Sequence, residues 1–123
     1  MPEIQVIFYQ EADGIVPVLA WLDGLVPRAR AKCIVKIERL KELGHELRRP
    51  EADYLRDDIY ELRISYQGQQ YRILYFFHES MAAVVSHGLI KERQVPPREI
   101  ELAIRRKKQF KQRPKQHTFS SEQ

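Results

Sequence analysis

The sequence predicts an α+β domain: a small antiparallel sheet with two N-terminal helices packed on one face, and a C-terminal helix. Three observations predict it. Apolar residues recur at helical spacing in three stretches, they alternate with period two in the stretches between, and the 123 residues, 43% hydrophobic and 31% charged, suffice for one compact core. The implied order is strand, helix, helix, three antiparallel strands, helix.

Each element has its own signal. Ile4, Val6 and Phe8 alternate with Gln5, Ile7 and Tyr9 in a β-branched and aromatic run, which reads as an opening strand. Asp13 precedes Ile15, Val18, Leu19 and Leu22 at helical spacing, with Pro17 placed for a first turn, so a short helix runs to about Asp23. From Pro27 to Leu43, Ala29, Cys33, Ile34, Ile37, Leu40 and Leu43 form one stripe opposite Arg28, Lys32, Lys36, Arg39 and Glu42, and Gly44 stands where a C-terminal cap is wanted. Residues 45–58 are polar and without period, and read as a surface loop. Tyr60, Leu62, Ile64 and Tyr66, then Tyr71, Ile73, Tyr75 and Phe77, alternate with polar residues around Gln67-Gly68 and predict a hairpin. A further strand covers Ala82 to Ile90. Pro96-Pro97 then starts a helix to about Gln112, with Glu99 in its first turn and Ile100, Ala103 and Ile104 as its stripe. The domain is expected over residues 1–113, with 114–123 a frayed, polar and basic tail.

Composition excludes several functions. No apolar run approaches the roughly 18–20 residues of a spanning helix. The N-terminus has no signal-peptide pattern, and Cys33 is the only cysteine, so a reducing cytoplasm is expected. Cys33 lies in an apolar helical stripe and reads as a core residue. Zinc-site, phosphate-loop and serine-hydrolase motifs are absent, and no cofactor is expected. Asp57-Asp58 reads as a solvated loop pair. Charge is uneven: residues 1–90 hold 11 Lys/Arg against 13 Asp/Glu, and residues 91–123 hold 10 against 4. The basic end fits a polyanionic partner such as nucleic acid.

The hairpin concentrates the chemistry. A two-residue connection at Gln67-Gly68 or Gly68-Gln69 puts Arg63 and Arg72 on one face, directly opposite or diagonal, away from Leu62, Ile64, Ile73, Tyr75 and Phe77. Strand parity adds Ala83, Val85, His87 and Leu89 to that face, with His87 opposite Arg72 and Lys91 at the strand end. The face is expected to be open and both arginines exposed, so that Arg72→Ala leaves the fold intact. Glu61 could neutralise the pair internally. Otherwise the arginines form an anion cradle beside a histidine suited to proton transfer.

Leu55-Arg56-Asp57-Asp58-Ile59-Tyr60-Glu61-Leu62-Arg63, Tyr71-Arg72-Ile73-Leu74-Tyr75-Phe76-Phe77, His87-Gly88-Leu89-Ile90-Lys91 and Pro97-Arg98-Glu99-Ile100-Glu101-Leu102-Ala103 resemble, in that order, the phage-derived branch of the RelE/HigB toxin superfamily. The resemblance runs over about residues 4–112. It implies the fold above and a ribosome-dependent endoribonuclease, the toxin of a type II toxin-antitoxin pair, which cuts mRNA without metal by attack of a ribose 2′-OH on the adjacent phosphate. It also implies a cognate antitoxin, typically a helix-turn-helix DNA-binding protein. Arg63 and Arg72 match the positions that hold the scissile phosphate, Lys91 matches a basic position at the end of the last strand, and His87 falls where relatives carry a general acid or base. Arg56, Arg105, Arg106, Lys107 and Lys108 are the expected RNA contacts. Two departures stand out: Phe76-Phe77 replaces a further arginine of some relatives, and the chain continues into a helix where some relatives end. The alternative is a non-catalytic nucleic-acid or protein-binding module that works through the basic helix Arg105 to Lys111.

Overall fold

In the computed structural model, residues 4–119 are described, and they form β1 (Gln5–Phe8), α1 (Pro17–Asp23), α2 (Pro27–Leu43), β2 (Ala52–Arg56), β3 (Ile59–Tyr66), β4 (Gln69–His78), β5 (Ala82–Lys91) and α3 (Pro97–Gln112). The strands make one sheet in the order β1-β5-β4-β3-β2. The α+β architecture and all three helices are as expected. The sheet has one strand more than expected and is mixed, because β1 runs parallel to β5 at the edge. None of the helices is long and apolar enough to cross a membrane among the described residues.

The additional strand is β2, inside the segment read as loop. Asp57 and Asp58, with φ of 51° and 64°, form the two-residue turn that returns the chain into β3, and Arg56 pairs with Ile59. Aspartate tolerates this left-handed backbone, so the acidic pair is a hairpin turn. The segment before β2 is tied to α2: Arg39 grips Glu51 with Nε and Nη2 at 3.0 and 2.9 Å, and this pairing holds the Glu51 carboxyl down at about 2. The β3–β4 turn uses Gln67 and Gly68, both at positive φ, and this choice sets Arg63 directly opposite Arg72.

Both faces of the sheet are covered. Leu62, Ile64, Ile73, Tyr75, Ala83 and Val85 pack beneath Val18 and Leu22 of α1 and Ala29, Cys33, Ile37 and Leu40 of α2. The opposite face carries Ile7, Ile59, Leu74, Phe76 and Val84 against Ile100, Ala103 and Phe110 of α3. The face expected to be open is therefore closed over one half. Residues 114–119 do not fray either. Thr118 bridges Tyr9, the His117 ring stacks on Tyr9 at 4.8 Å, and Phe119 N–H donates to the Phe8 carbonyl. The last four residues of the expected tail lie outside the described residues.

Candidate active site

Helix α3 covers the sheet from His87, near its first turn, to Phe76 and His78, which meet Phe110 near its end. The other half of this face is left uncovered. It carries Arg63 and Ser65 on β3, Gln70 and Arg72 on β4, and Leu89 and Lys91 on β5, with Arg63 opposite Arg72, Arg72 opposite Leu89 and Gln70 opposite Lys91.

The two arginines differ in their surroundings. Arg63 is one-third exposed and donates to Glu61 Oε2 at 2.8 Å through Nε and to Asp53 Oδ2 at 3.0 Å through Nη2. Arg72 is buried, contrary to expectation. Its Nε lies 3.3 Å from Glu61 Oε1, and its Nη1 donates to the Tyr71 carbonyl. Burial pulls the Arg72 pKa below its ordinary value, and Glu61 opposes that pull. Glu61 therefore sits between two guanidinium groups, which removes the like-charge repulsion of directly opposed arginines. Asp53 extends the chain of charges, since the same Oδ2 also receives Arg49 Nε at 3.0 Å. Lys91 has no carboxylate partner among the described residues and is the cation of this strip most available to a ligand.

A bulge re-aims the last strand. Leu74 pairs with His87 but Tyr75 pairs with Val85, so Ser86 is an extra residue. Two expectations are corrected. The three-residue connection that pairs His78 with Ala82 turns Ala83 and Val85 to the α1/α2 face, and the bulge then returns His87 to the face of Arg72, where it lies opposite Leu74 and diagonal to Arg72. His87 and Lys91 keep the parity of Arg72.

His87 is buried and held at both ring nitrogens: Ser86 Oγ lies 2.8 Å from Nδ1 and Glu99 Oε1 2.9 Å from Nε2. Arg106 Nη1 donates to both Ser86 oxygens at 3.3 Å, and its Nη2 reaches Glu11. With Ser86 Oγ accepting from Arg106, its own proton points to Nδ1, and the tautomer with hydrogen on Nε2 donates to Glu99. Burial, helped by the nearby Arg106 charge, lowers the His87 pKa, and Glu99 only partly offsets this. The folded protein thus keeps His87 neutral where the unfolded chain would protonate it. Stability is expected to be flat above about pH 6.5, the unfolded value, and to fall as pH drops below it. Melting temperature against pH for wild type and His87→Gln checks this: the variant should lose the slope between pH 6.5 and 5, well above the range in which Glu51 titrates. An unchanged slope would show that His87 does not cause it.

The expected RNA contacts divide. Arg105 and Lys108 are exposed on α3. Lys107 is 3.9 Å from Asp58, and Arg56 pairs with Asp57 at 2.7 Å and Glu101 at 3.6 Å. Arg106 is buried and belongs to the inner stripe Ile100, Ala103, Arg106, Phe110, so it ties α3 to β5 and does not extend the basic face. Ser86 and Asp53 were not singled out by sequence, and Glu99 stood out only as an acidic residue in the first turn of the last helix. Only the helical spacing of Arg106 from Ala103 and Phe110 carried a signal for this inner network.

The comparisons with known proteins bear on the segment that contains all of these candidate residues. Residues 20–108 match the family described as Phage derived protein Gp49-like (DUF891). The chain belongs to this Gp49-like family. The family in turn belongs to the RelE/HigB-like toxins and is related to RelE-like toxins, which are endoribonucleases. A search of curated proteins finds no significant match. In this Gp49-like protein the matched segment spans α2, the hairpin strands, β5 with its bulge, and most of α3.

Proposed function

We propose that this Gp49-like protein is the toxin of a toxin-antitoxin pair and cuts mRNA at the ribosome by metal-independent attack of a ribose 2′-OH on the adjacent phosphate. One observation carries the reading beyond family membership: on the uncovered half of the sheet, Lys91 has no carboxylate partner among the described residues while Arg63 and Arg72 stand side by side on the neighbouring strands. Such fixed cations stabilise the extra negative charge of a pentacoordinate phosphoryl group. Lys91 and the outer edge of Arg63 contact the phosphate, and Arg72 chiefly fixes Glu61 and through it Arg63. The 2′-oxygen bonds to phosphorus, the 5′-oxygen leaves and takes a proton, and a 2′,3′-cyclic phosphate remains. Proton transfer runs through the Glu99–His87 pair, because His87 is shielded and Glu99 retains 23% exposure. The partner is a cognate antitoxin, expected to be a small helix-turn-helix protein whose charge complements the basic surface.

Cleavage of an mRNA on purified ribosomes, with and without Lys91→Ala, tests this. The variant is expected to fold normally and to lose roughly 100-fold in rate. Wild-type cleavage by folded Lys91→Ala would overturn the assignment. Activity that instead disappears in Arg105→Ala/Lys108→Ala and survives in Lys91→Ala would move the working surface to α3.

A further inference from the structure

A second surface feature lies across the β2 edge from this strip. The segment before β2, β2 itself and Tyr60 of β3 border an open cleft of about 440 Å³ lined by His45, Leu47, Arg48, Arg49, Tyr54 and Tyr60 among others. Its volume is within the roughly 300–1,000 Å³ of small-ligand sites. The aromatic lining is presented and rigid. Tyr54 is 49% exposed, its ring meets Tyr60 edge-on at 5.1 Å, and its hydroxyl accepts the Asp58 N–H at 3.1 Å. The exposed His45 ring is stacked on Phe77 at 3.8 Å. Arg48 has no carboxylate partner among the described residues, and Arg49, 75% exposed, uses Nε on Asp53 and leaves its outer nitrogens free.

Aromatic faces beside guanidinium groups with outward-facing nitrogens are the chemistry that holds a base and its phosphate. We propose that this cavity is a base-stacking subsite for single-stranded RNA, with one base between Tyr54 and His45 and the flanking phosphate on Arg48 and Arg49. The inference rests on the nuclease reading above. Asp53 supports the continuity, because its Oδ2 takes Arg49 from the cavity side and Arg63 from the strip, both at 3.0 Å. A strand held at Arg63 and Lys91 therefore reaches the cavity around an edge strand only five residues long.

The test is fluorescence anisotropy with a labelled 2′-O-methyl oligoadenylate decamer, which lacks the attacking hydroxyl and stays intact. Tyr54→Ala is expected to weaken binding about tenfold and Tyr54→Phe to restore it, since stacking and not the hydroxyl does the work. Arg48→Ala should flatten the log-log salt dependence by about 0.7. Because Arg48 is exposed, it carries the test even should Tyr54→Ala melt early. Wild-type affinity and salt slope in both variants, or no binding by the wild-type protein, would overturn the subsite. The nuclease reading would fall only with the Lys91→Ala cleavage result. Loss of antitoxin binding in these variants with RNA binding intact would overturn the subsite, and would give the cavity to a protein partner.

Discussion

Arg72→Ala is expected to destabilise the protein by about 3–5 kcal/mol, the usual cost of removing one partner of a buried ion pair. Glu61 is 3% exposed and Arg72 5% exposed, so the truncation leaves a carboxylate enclosed with one remaining cation, Arg63, which is itself partly solvated. For a domain of this size the loss corresponds to a fall in melting temperature of roughly 10–20 °C. Arg63→Ala should cost much less, about 1 kcal/mol, because that side chain is one-third exposed and Arg72 remains beside Glu61. A paired replacement, Glu61→Leu with Arg72→Met, should recover most of the stability, since burying neither charge avoids both desolvation costs. Thermal melts of the four proteins check the order. A wild-type melting temperature for Arg72→Ala would show that the pair contributes nothing. Under the proposed toxin function, growth arrest lost in Arg72→Ala would report unfolding as well as chemistry, and Lys91 is the residue whose removal separates the two.

Legibility in the sequence followed burial. The β3–β4 hairpin alternates cleanly, and the turn preference of Gln67-Gly68 brings Arg63 and Arg72 together by parity alone. The bulge at Ser86 left no such trace. Residues 82–85 are apolar on both faces because α3 covers one and α1/α2 the other, so a one-residue slip changes no hydrophobic pattern. Strand β2 was missed for the opposite reason: as an edge strand it carries Asp53 and Arg56 and lacks a continuous apolar face. The site suffered most from the third helix. Reading Ile100, Ala103 and Ile104 as a narrow stripe left the opposite sheet face open, whereas Arg106 and Phe110 continue the stripe inward and close that face over His87. A buried arginine shows in the sequence only by its helical spacing from Ala103 and Phe110, and its partners Ser86 and Glu11 lie far from it in sequence.

The second large effect is expected at Gly88, whose role is also hidden in the sequence. Gly88 pairs with Ile73, and a Cβ placed on it would clash with the indole ring of Trp21, well inside contact distance of three of its carbons. Trp21 lies flat against the strand there and meets Tyr71 edge-on at 6.2 Å. Gly88→Ala must therefore lift Trp21, and with it α1, a seven-residue helix without a side-chain N-cap that depends on Val18, Leu22 and Trp21 to dock. Overpacking of this kind costs about 1–3 kcal/mol, and the upper end is expected because the obstacle is a rigid ring. Trp21 is the only tryptophan, so its fluorescence should shift to the red and its quenching by iodide should rise. Trp21→Leu should relieve most of the strain of Gly88→Ala, making the double variant more stable than the sum of the single effects implies. Unchanged emission together with a melting temperature within about 2 °C of wild type would refute this packing. The same clash also pushes back on β5, and because Gly88 lies between His87 and Leu89 such a shift moves the histidine relative to Glu99. Under the proposed nuclease function, cleavage should fall in Gly88→Ala below its melting temperature and recover in the double variant, a coupling that a purely global loss of stability would not produce.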